Sequence, residues 1–345
     1  MYNIQLTESY FPAQADTEYK DRTIAAILDD QAKIRGGQDA LREVMPDGSI
    51  GRTWTYETLK SDAEKLGRAL AARHASGARV AVFAHNIPEW VLLELGAVLA
   101  GLTLVTVNPS FTHRELAYVL EQSGSEAIYF VDNVRGTPLA PIVEAATKSL
   151  SKVKHKILLT DHDALFSGSD AGELRPTMPA HNAQIQYTSG TTGFPKGVLL
   201  HQQGLIQNAS DTAGRWGVKP GASLLAIMPL FHTSGCGVTI LGGLSHGCTL
   251  FMPSGFDPVM IVKLIERENI EYFGGVATML VAMLEVAEQK NVKIKSVNTI
   301  MSGGAMVAPE LVRKAKEIFG APIQIVYGQT ETSPCMTYTW PDDSD

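Results

Sequence analysis

Between Arg79 and Leu159, short apolar runs alternate with segments of helical length, and this alternation narrows the possible folds more than any other feature of the chain. The run Arg79-Val80-Ala81-Val82-Phe83-Ala84 has strand composition. Pro88 to Ala100 has helix length, with Pro88 in the first turn, where a missing N–H costs nothing. Leu102 to Val107 is the next strand. Thr112 and Glu115 stand at capping-box spacing and open a helix whose Leu116, Val119 and Leu120 share one face. A strand at 127–131, a helix at 142–150 and a strand at 156–159 follow. Strands joined by helix-length connections pair in parallel, so the pattern predicts βαβ units in an α/β fold, with mostly parallel sheets flanked by helices.

The longest apolar run, Trp90 to Val107, has 18 positions and reaches the low edge of a membrane span. Glu94 sits inside it, Gly101 breaks it, and its second half has strand composition. It therefore reads as a buried helix followed by a buried strand. From Asp161 to Asn182 the periodicity is lost and Asp, Gly, Ser and Pro accumulate, which reads as a loop or connector. The alternation then resumes. Strands are expected at 184–187, 198–201, 224–228, 248–251, 299–302 and 323–327, and helices at 203–213, 238–244, 258–268, 278–289 and 308–319. There is no internal repeat. The expected organisation is a first α/β lobe over about 53–200 and a second over about 201–345, with residues 1–52 packed on the second.

Composition removes several function classes. With 45% hydrophobic and 19% charged residues, the chain has enough apolar surface for a substantial core. A net charge of −7 leaves no basic excess to neutralise phosphates, which argues against a nucleic-acid or anionic-membrane partner. Cys236, Cys248 and Cys335 are far apart and show no CxxC spacing. That pattern excludes a disulfide framework or cysteine-rich zinc site and fits a reducing compartment. Met1 to Lys20 shows no basic segment followed by an apolar one, so the expected location is the cytoplasm.

The segment from Tyr187 to Gly197 holds four hydroxyl side chains of Ser and Thr, three glycines and Lys196, directly after a strand. Glycines let backbone N–H groups converge on an anion, hydroxyls donate to phosphate oxygens, and Lys196 adds charge. This chemistry suits a polyphosphate. It is not a Walker A loop, because Lys196 is followed by Gly197 rather than Ser or Thr. A flexible linker is the alternative, opposed by the strands on both sides. Three further loops follow strands: Pro229 to Gly235 with His232, Ser302-Gly303-Gly304-Ala305, and Tyr327-Gly328-Gln329-Thr330-Glu331. Tyr327 suits a base, Thr330 a phosphate and Glu331 a Mg²⁺ ion. Alone, the Tyr327 loop reads first as a solvated turn, the Ser302 loop as a plain strand-to-helix turn, and His232 as an ordinary packed or surface histidine. Together they stand at strand carboxyl ends, where an open α/β sheet gathers its ligands.

At this point the sequence resembles the adenylate-forming superfamily of acyl-CoA synthetases, peptide-synthetase adenylation domains and beetle luciferases. The resemblance rests on Thr188 to Lys196, on Tyr327 to Glu331 and on Ser302 to Ala305. Further family-like phrases are Thr55-Tyr56, Asn86 to Trp90, Val107-Asn108-Pro109 and Glu115-Leu116. It implies a two-step ligase that joins a carboxylate to AMP from ATP and then passes the acyl group to a thiol, commonly CoA. By position, Thr188, Ser189, Gly190, Thr191, Thr192, Gly193 and Lys196 would bind the β- and γ-phosphates. Glu331 with Thr188 would hold Mg²⁺. Gly304, Ala305 and Tyr327 would enclose adenine, Gly303, Gly328 and Gln329 would also belong to the nucleotide site, and Thr330 would meet the α-phosphate. His232 would border the carboxylate and the thiol channel, making Thr188, Lys196, His232 and Glu331 the catalytic set.

The same comparison places an acyl pocket at His232, Gly235, Cys236, Val276, Met279 and Gly303. These residues are mostly small or apolar and offer no carboxylate to an amino group. A fatty or other apolar carboxylate is therefore the expected substrate, with an aryl-CoA ligase as the alternative. The family pattern continues beyond Glu331 into an aspartate segment, a hinge and a small domain carrying a lysine. These have no counterpart before Asp345, so an incomplete catalytic domain, weak or inactive alone and prone to self-association, is expected. A nucleotide-binding pseudoenzyme is the second reading.

Overall fold

The computed structural model describes residues 7, 10, 19, 21–188, 195–292 and 294–343. Thr23 caps helix α1 (Ile24–Arg35) by accepting a hydrogen bond from the Ala26 N–H. Strands β1 (Asp39–Val44) and β2 (Ile50–Thr55) follow, then α2 (Tyr56–Arg73), opened by a reciprocal cap between Thr55 and Thr58. The alternation begins with β3 (Arg79–Phe83), α3 (Pro88–Leu99), β4 (Thr103–Val107), α4 (His113–Ser123) and β5 (Ala127–Phe130). It continues through the short pair β6 (Asn133–Val134) and β7 (Thr137–Pro138) to α5 (Ala140–Thr147), β8 (His155–Leu158) and α6 (His162–Phe166). Next come β9 (Asn182–Thr188), β10 (Lys196–His201) and α7 (Gln202–Trp216).

The second half holds β11 (Ser223–Leu225), a π-helix (Ser234–Leu241) running into α8 (Gly242–Ser245), β12 (Thr249–Pro253) and α9 (Pro258–Glu268). It ends with β13 (Tyr272–Gly274), α10 (Ala277–Gln289), β14 (Thr299–Gly303), α11 (Pro309–Phe319), β15 (Ile323–Gly328), a 3₁₀ turn (Thr330–Thr332) and β16 (Cys335–Tyr338).

The strands form an eight-stranded sheet, β16-β15-β14-β13-β11-β12-β1-β2, and a six-stranded sheet, β10-β9-β4-β3-β5-β8. Within these two sheets pairing is parallel except for β2, β16 and β10, which run antiparallel along the edges, and β6 and β7 form a separate antiparallel pair. The chain therefore has an α/β fold of mostly parallel sheets with helices against them. β1 and β2 belong to the larger sheet, although the strands nearest in sequence build the smaller one.

Adjacent strand residues point to opposite faces, and the two apolar clusters show it. Leu224, Leu250, Tyr272 and Met301 face one core, shared with α2, α3, α7 and the smaller sheet. Their neighbours Leu225, Phe251, Phe273 and Ile300 face the other, built on α9, α10 and α11. α3 is buried from Pro88 to Val98, and β4 along its whole length, which accounts for the apolar run at 90–107. Among the described residues, no helix is long and apolar enough to cross a membrane.

Three expectations are revised. The connector expected at 161–182 contains α6, capped by the Asp161 carboxylate accepting from the Ala164 N–H. The helix expected at 238–244 is a π-helix that starts at Ser234, where the Thr239 hydroxyl donates to the Ser234 carbonyl five residues back at 2.9 Å. The strand expected at 224–228 ends at Leu225, because a side chain from β3's carboxyl end takes over the backbone groups beyond it (below).

One ion cluster ties the larger sheet and α6 to α3. Arg52 on β2 donates to Glu43 at 2.8 Å and to Glu89 at 2.5 Å, and His162 on α6 meets Glu89 at 2.8 Å. Burial pushes the Glu89 carboxyl up, but the Arg52 and His162 hydrogen bonds outweigh it and hold the carboxyl below its ordinary range. A carboxyl lowered in the folded state stabilises the protein above its unfolded pKa, and that stability is lost as pH falls through the folded value. Glu89→Gln is expected to cost about 1–2 kcal/mol at neutral pH, the smaller side of a buried pair because Arg52 stays partly in water. Urea unfolding below about pH 4, within the range where carboxylates protonate, should show this difference shrinking.

Candidate active site

β9 and β10 form a hairpin in which Lys196 stands opposite Thr188. α4 holds both arms. The Tyr118 hydroxyl donates to the Pro195 carbonyl at 3.0 Å, and the Tyr187 hydroxyl meets the Val119 carbonyl at 3.3 Å and the Gln122 side chain. The capping box read from Thr112 and Glu115 opens this helix as expected. Lys196 is exposed and has no carboxylate partner among the described residues. Ser189, Gly190, Thr191, Thr192 and Gly193 lie outside the described residues.

The larger sheet supplies three adjacent loops. β13, β14 and β15 are parallel neighbours, with Gly274 opposite Met301 and Gly303 opposite Val326. That register sets Val276, the Gly303–Ala305 loop and Tyr327 side by side at one edge. Gly304 takes φ +76°, a left-handed conformation that favours glycine. A Cβ on Gly303 would stand 2.3 Å from the Val326 carbonyl oxygen. Tyr327 is 62% exposed, which leaves its ring face free for stacking. Thr330 is buried, and Glu331 is exposed without an ion pair among the described residues.

α7, the helix that directly follows β10, joins the hairpin to the Glu331 turn. The Asn208 amide donates to the Thr332 and Cys335 carbonyls at 3.3 and 2.7 Å, and accepts from the Cys335 N–H at 3.1 Å. β10 itself lies beside the 3₁₀ turn. β10 of the smaller sheet and the Glu331 turn beside the larger one are thereby neighbours.

His232 belongs to the larger sheet by sequence but is held by the smaller one. Past β3, the Asn86 amide donates to the Met228 carbonyl and accepts from the Leu230 N–H, both at 3.0 Å. From β4, the Thr106 hydroxyl donates to the Phe231 carbonyl at 2.8 Å. From β9, Gln184 and Gln186 bond the Cys236 thiol. The His232 Nδ1 accepts from the Ser234 N–H at 3.1 Å, so the neutral ring carries its proton on Nε2. Desolvation lowers its pKa and favours that neutral form.

Of the residues singled out from sequence, the structure sets Thr188 and Lys196 on one hairpin, and Gly303, Gly304, Ala305, Tyr327, Gly328, Gln329, Thr330 and Glu331 on neighbouring loops. Gly235, Cys236, Val276 and Met279 stand near His232 or after β13. Cys236 is fully buried against β9. The sequence reading missed Thr106, Gln184 and Gln186 as anchors of the His232 segment. Their signal was present, since each is a polar residue inside a strand whose neighbours are apolar.

Among the described residues, no three His, Cys, Asp or Glu side chains gather as an all-protein metal cage. An exposed carboxylate such as Glu331, completed by substrate phosphates and water, is a donor set that suits Mg²⁺.

The fold agrees with comparison to known proteins. The family model for AMP-binding enzymes matches residues 28–345. The chain belongs to the AMP-binding enzyme family. YngI of Bacillus subtilis, whose name places it among acyl-CoA synthetases, is 31% identical over 93% of this chain and 63% of its own length. The mitochondrial medium-chain acyl-CoA ligase ACSF2 of Danio rerio is 28% identical over 98% of this chain and 61% of its own length. The chain thus spans somewhat less than two thirds of these relatives. In structure, the N-terminal domain of FACL13 from Mycobacterium tuberculosis superposes with a TM-score of 0.82 at 25% identity, covering 93% of this chain and 79% of that one.

For a member of the AMP-binding family, the Gly303 contact has a direct consequence. Gly303→Ala would force β14 and β15 apart at the loop's base and is expected to cost about 1–3 kcal/mol. Calorimetry should show AMP affinity falling in the same variant, while Gly320→Ala, at a helix end remote from the loops, leaves AMP affinity unchanged.

Proposed function

We propose that this chain carries the adenylation site of an ATP-dependent acyl-CoA ligase acting on a fatty or other apolar carboxylate. The observation that carries this reading is the strand register that sets Lys196 opposite Thr188 on β9–β10 and Gly303 opposite Val326, next to Tyr327, on β14–β15. The names of the acyl-CoA relatives support it.

In the first step a carboxylate oxygen attacks the α-phosphorus of ATP. An acyl–O–P bond forms, the bond to the bridging oxygen breaks, and pyrophosphate leaves. Lys196 and the hairpin hold the β- and γ-phosphates, where negative charge grows as pyrophosphate departs. Thr330 meets the α-phosphate. Gly304, Ala305 and Tyr327 enclose adenine, with Gly328 and Gln329 shaping the turn behind them. Glu331 and Thr188 would hold Mg²⁺, which supplies charge neutralisation at the phosphates. In the second step the sulfur of CoA attacks the acyl carbon, a C–S bond forms, and AMP leaves.

His232, through its Nε2–H, borders the carboxylate. Gly235, Val276, Met279 and Gly303 line the acyl side, with Cys236 behind them. Three well-separated cysteines without CxxC spacing fit a reducing compartment.

The products test this reading. Incubation with ATP, Mg²⁺ and a panel of carboxylates should yield pyrophosphate and AMP only with a carboxylate present, measured on the full natural protein with and without CoA. Carboxylate-independent release of inorganic phosphate would contradict it. Nucleotide binding without turnover in the full protein would favour the pseudoenzyme.

A further inference from the structure

We propose that Glu94, Gln184, Gln186 and Cys236 form a positioning device for the acyl half of the site, acting through the turn that holds His232. The inference rests on the ligase reading above. Gln184, Gln186 and Thr188 lie on one face of β9, because alternate strand residues share a face. The Gln184 Nε2 donates to the Glu94 Oε1 at 2.6 Å. The Gln186 Nε2 donates to the Gln184 Oε1 at 2.8 Å and to the Cys236 Sγ at 3.1 Å. The Cys236 thiol donates to the Gln184 Oε1 at 3.4 Å. Three side chains thus close a ring of hydrogen bonds, and Glu94 anchors it to α3.

None of the four is more than 2% exposed. Burial pushes the Glu94 carboxyl and the Cys236 thiol well above their ordinary ranges, so the set is held uncharged. Apolar side chains would fill the same space without the desolvation cost. What the polar ring adds is direction: it fixes the π-helix in one rotation on β9. Cys236 is the second π-helix residue after Ser234, and its N–H donates to the His232 carbonyl at 3.2 Å. A fixed Cys236 therefore fixes the His232 turn relative to Thr188. Among the described residues, the hydrogen bonds of these four side chains stay within the set and do not reach the Gly303–Ala305 or Tyr327–Glu331 loops on the nucleotide side.

The split between acyl and nucleotide sides is the test. The probes are octanoyl-sulfamoyl adenosine, a stable mimic of an acyl-adenylate, and AMP, each titrated by calorimetry. Gln186→Leu is expected to weaken the octanoyl probe about 10-fold, the scale of one lost buried hydrogen bond, while AMP stays within about twofold. Cys236→Ala, a milder change should Gln186→Leu fold poorly, is expected to show the same split. Cys236→Ser, which keeps a donor and an acceptor, should restore most of the preference. If both probes weaken together, or neither does, the positioning role is wrong. If the unaltered protein binds the octanoyl probe no better than AMP, the ligase reading fails first and takes the proposal with it.

Discussion

Replacing Lys196 with alanine is expected to weaken ATP binding by about 100-fold while leaving AMP binding within about twofold. Lys196 opens β10 directly opposite Thr188, so its backbone position is set by the hairpin register rather than by its side chain. The side chain is exposed and engages no carboxylate among the described residues, so its removal strands no internal partner. Its effect should fall on ligand charge. A charge-assisted hydrogen bond contributes roughly 1.5–3 kcal/mol, and two such bonds to the β- and γ-phosphates account for the expected loss. AMP lacks both groups. Calorimetric titration with each nucleotide separates the outcomes. An equal loss for AMP would place Lys196 at the α-phosphate or the base, and unchanged ATP affinity would remove it from the site.

The second large effect is expected at Asn86, where alanine should cost about 2–4 kcal/mol of stability and disorganise the His232 segment. Asn86 is 9% exposed, and its amide serves the Leu230 N–H and the Met228 carbonyl together. Alanine leaves both backbone groups buried without partners. Asn86→Asp distinguishes the two bonds, because it keeps the acceptor for Leu230 and loses the donor to Met228. Urea unfolding should rank the native protein above both variants. Binding of octanoyl-sulfamoyl adenosine should fall more steeply than binding of AMP. Native-like unfolding of Asn86→Ala would contradict the anchoring role.

The parts of the fold legible in the sequence were those dictated locally. Thr112 and Glu115 announce α4 because a capping box is satisfied within a single turn. β3 and β4 announce themselves because strands buried on both faces read as runs dominated by apolar and β-branched residues. β1, with the mixed sequence Asp-Ala-Leu-Arg-Glu-Val, does not. It is a strand because Leu41 pairs with Leu250 on one side and Trp54 on the other, and a partner more than two hundred positions away leaves no local periodicity. β13 is too short for a pattern to show.

The site divided in the same way. Loops rich in Gly, Ser and Thr after strands marked the nucleotide side, where chemistry depends on backbone freedom and hydroxyl content. The acyl side depends on which strand holds the His232 segment, and the glutamines of β9 show their role only once α3 and the π-helix pack on them.

The central claim is that this chain recognises a carboxylate joined to AMP. Calorimetric titration of the protein with octanoyl-sulfamoyl adenosine, AMP and octanoate tests it most directly. The account predicts that the joined molecule binds at least about 100-fold more tightly than AMP, because one rigid site receives both halves without a second association cost. Affinity no greater than that of AMP alone would contradict it.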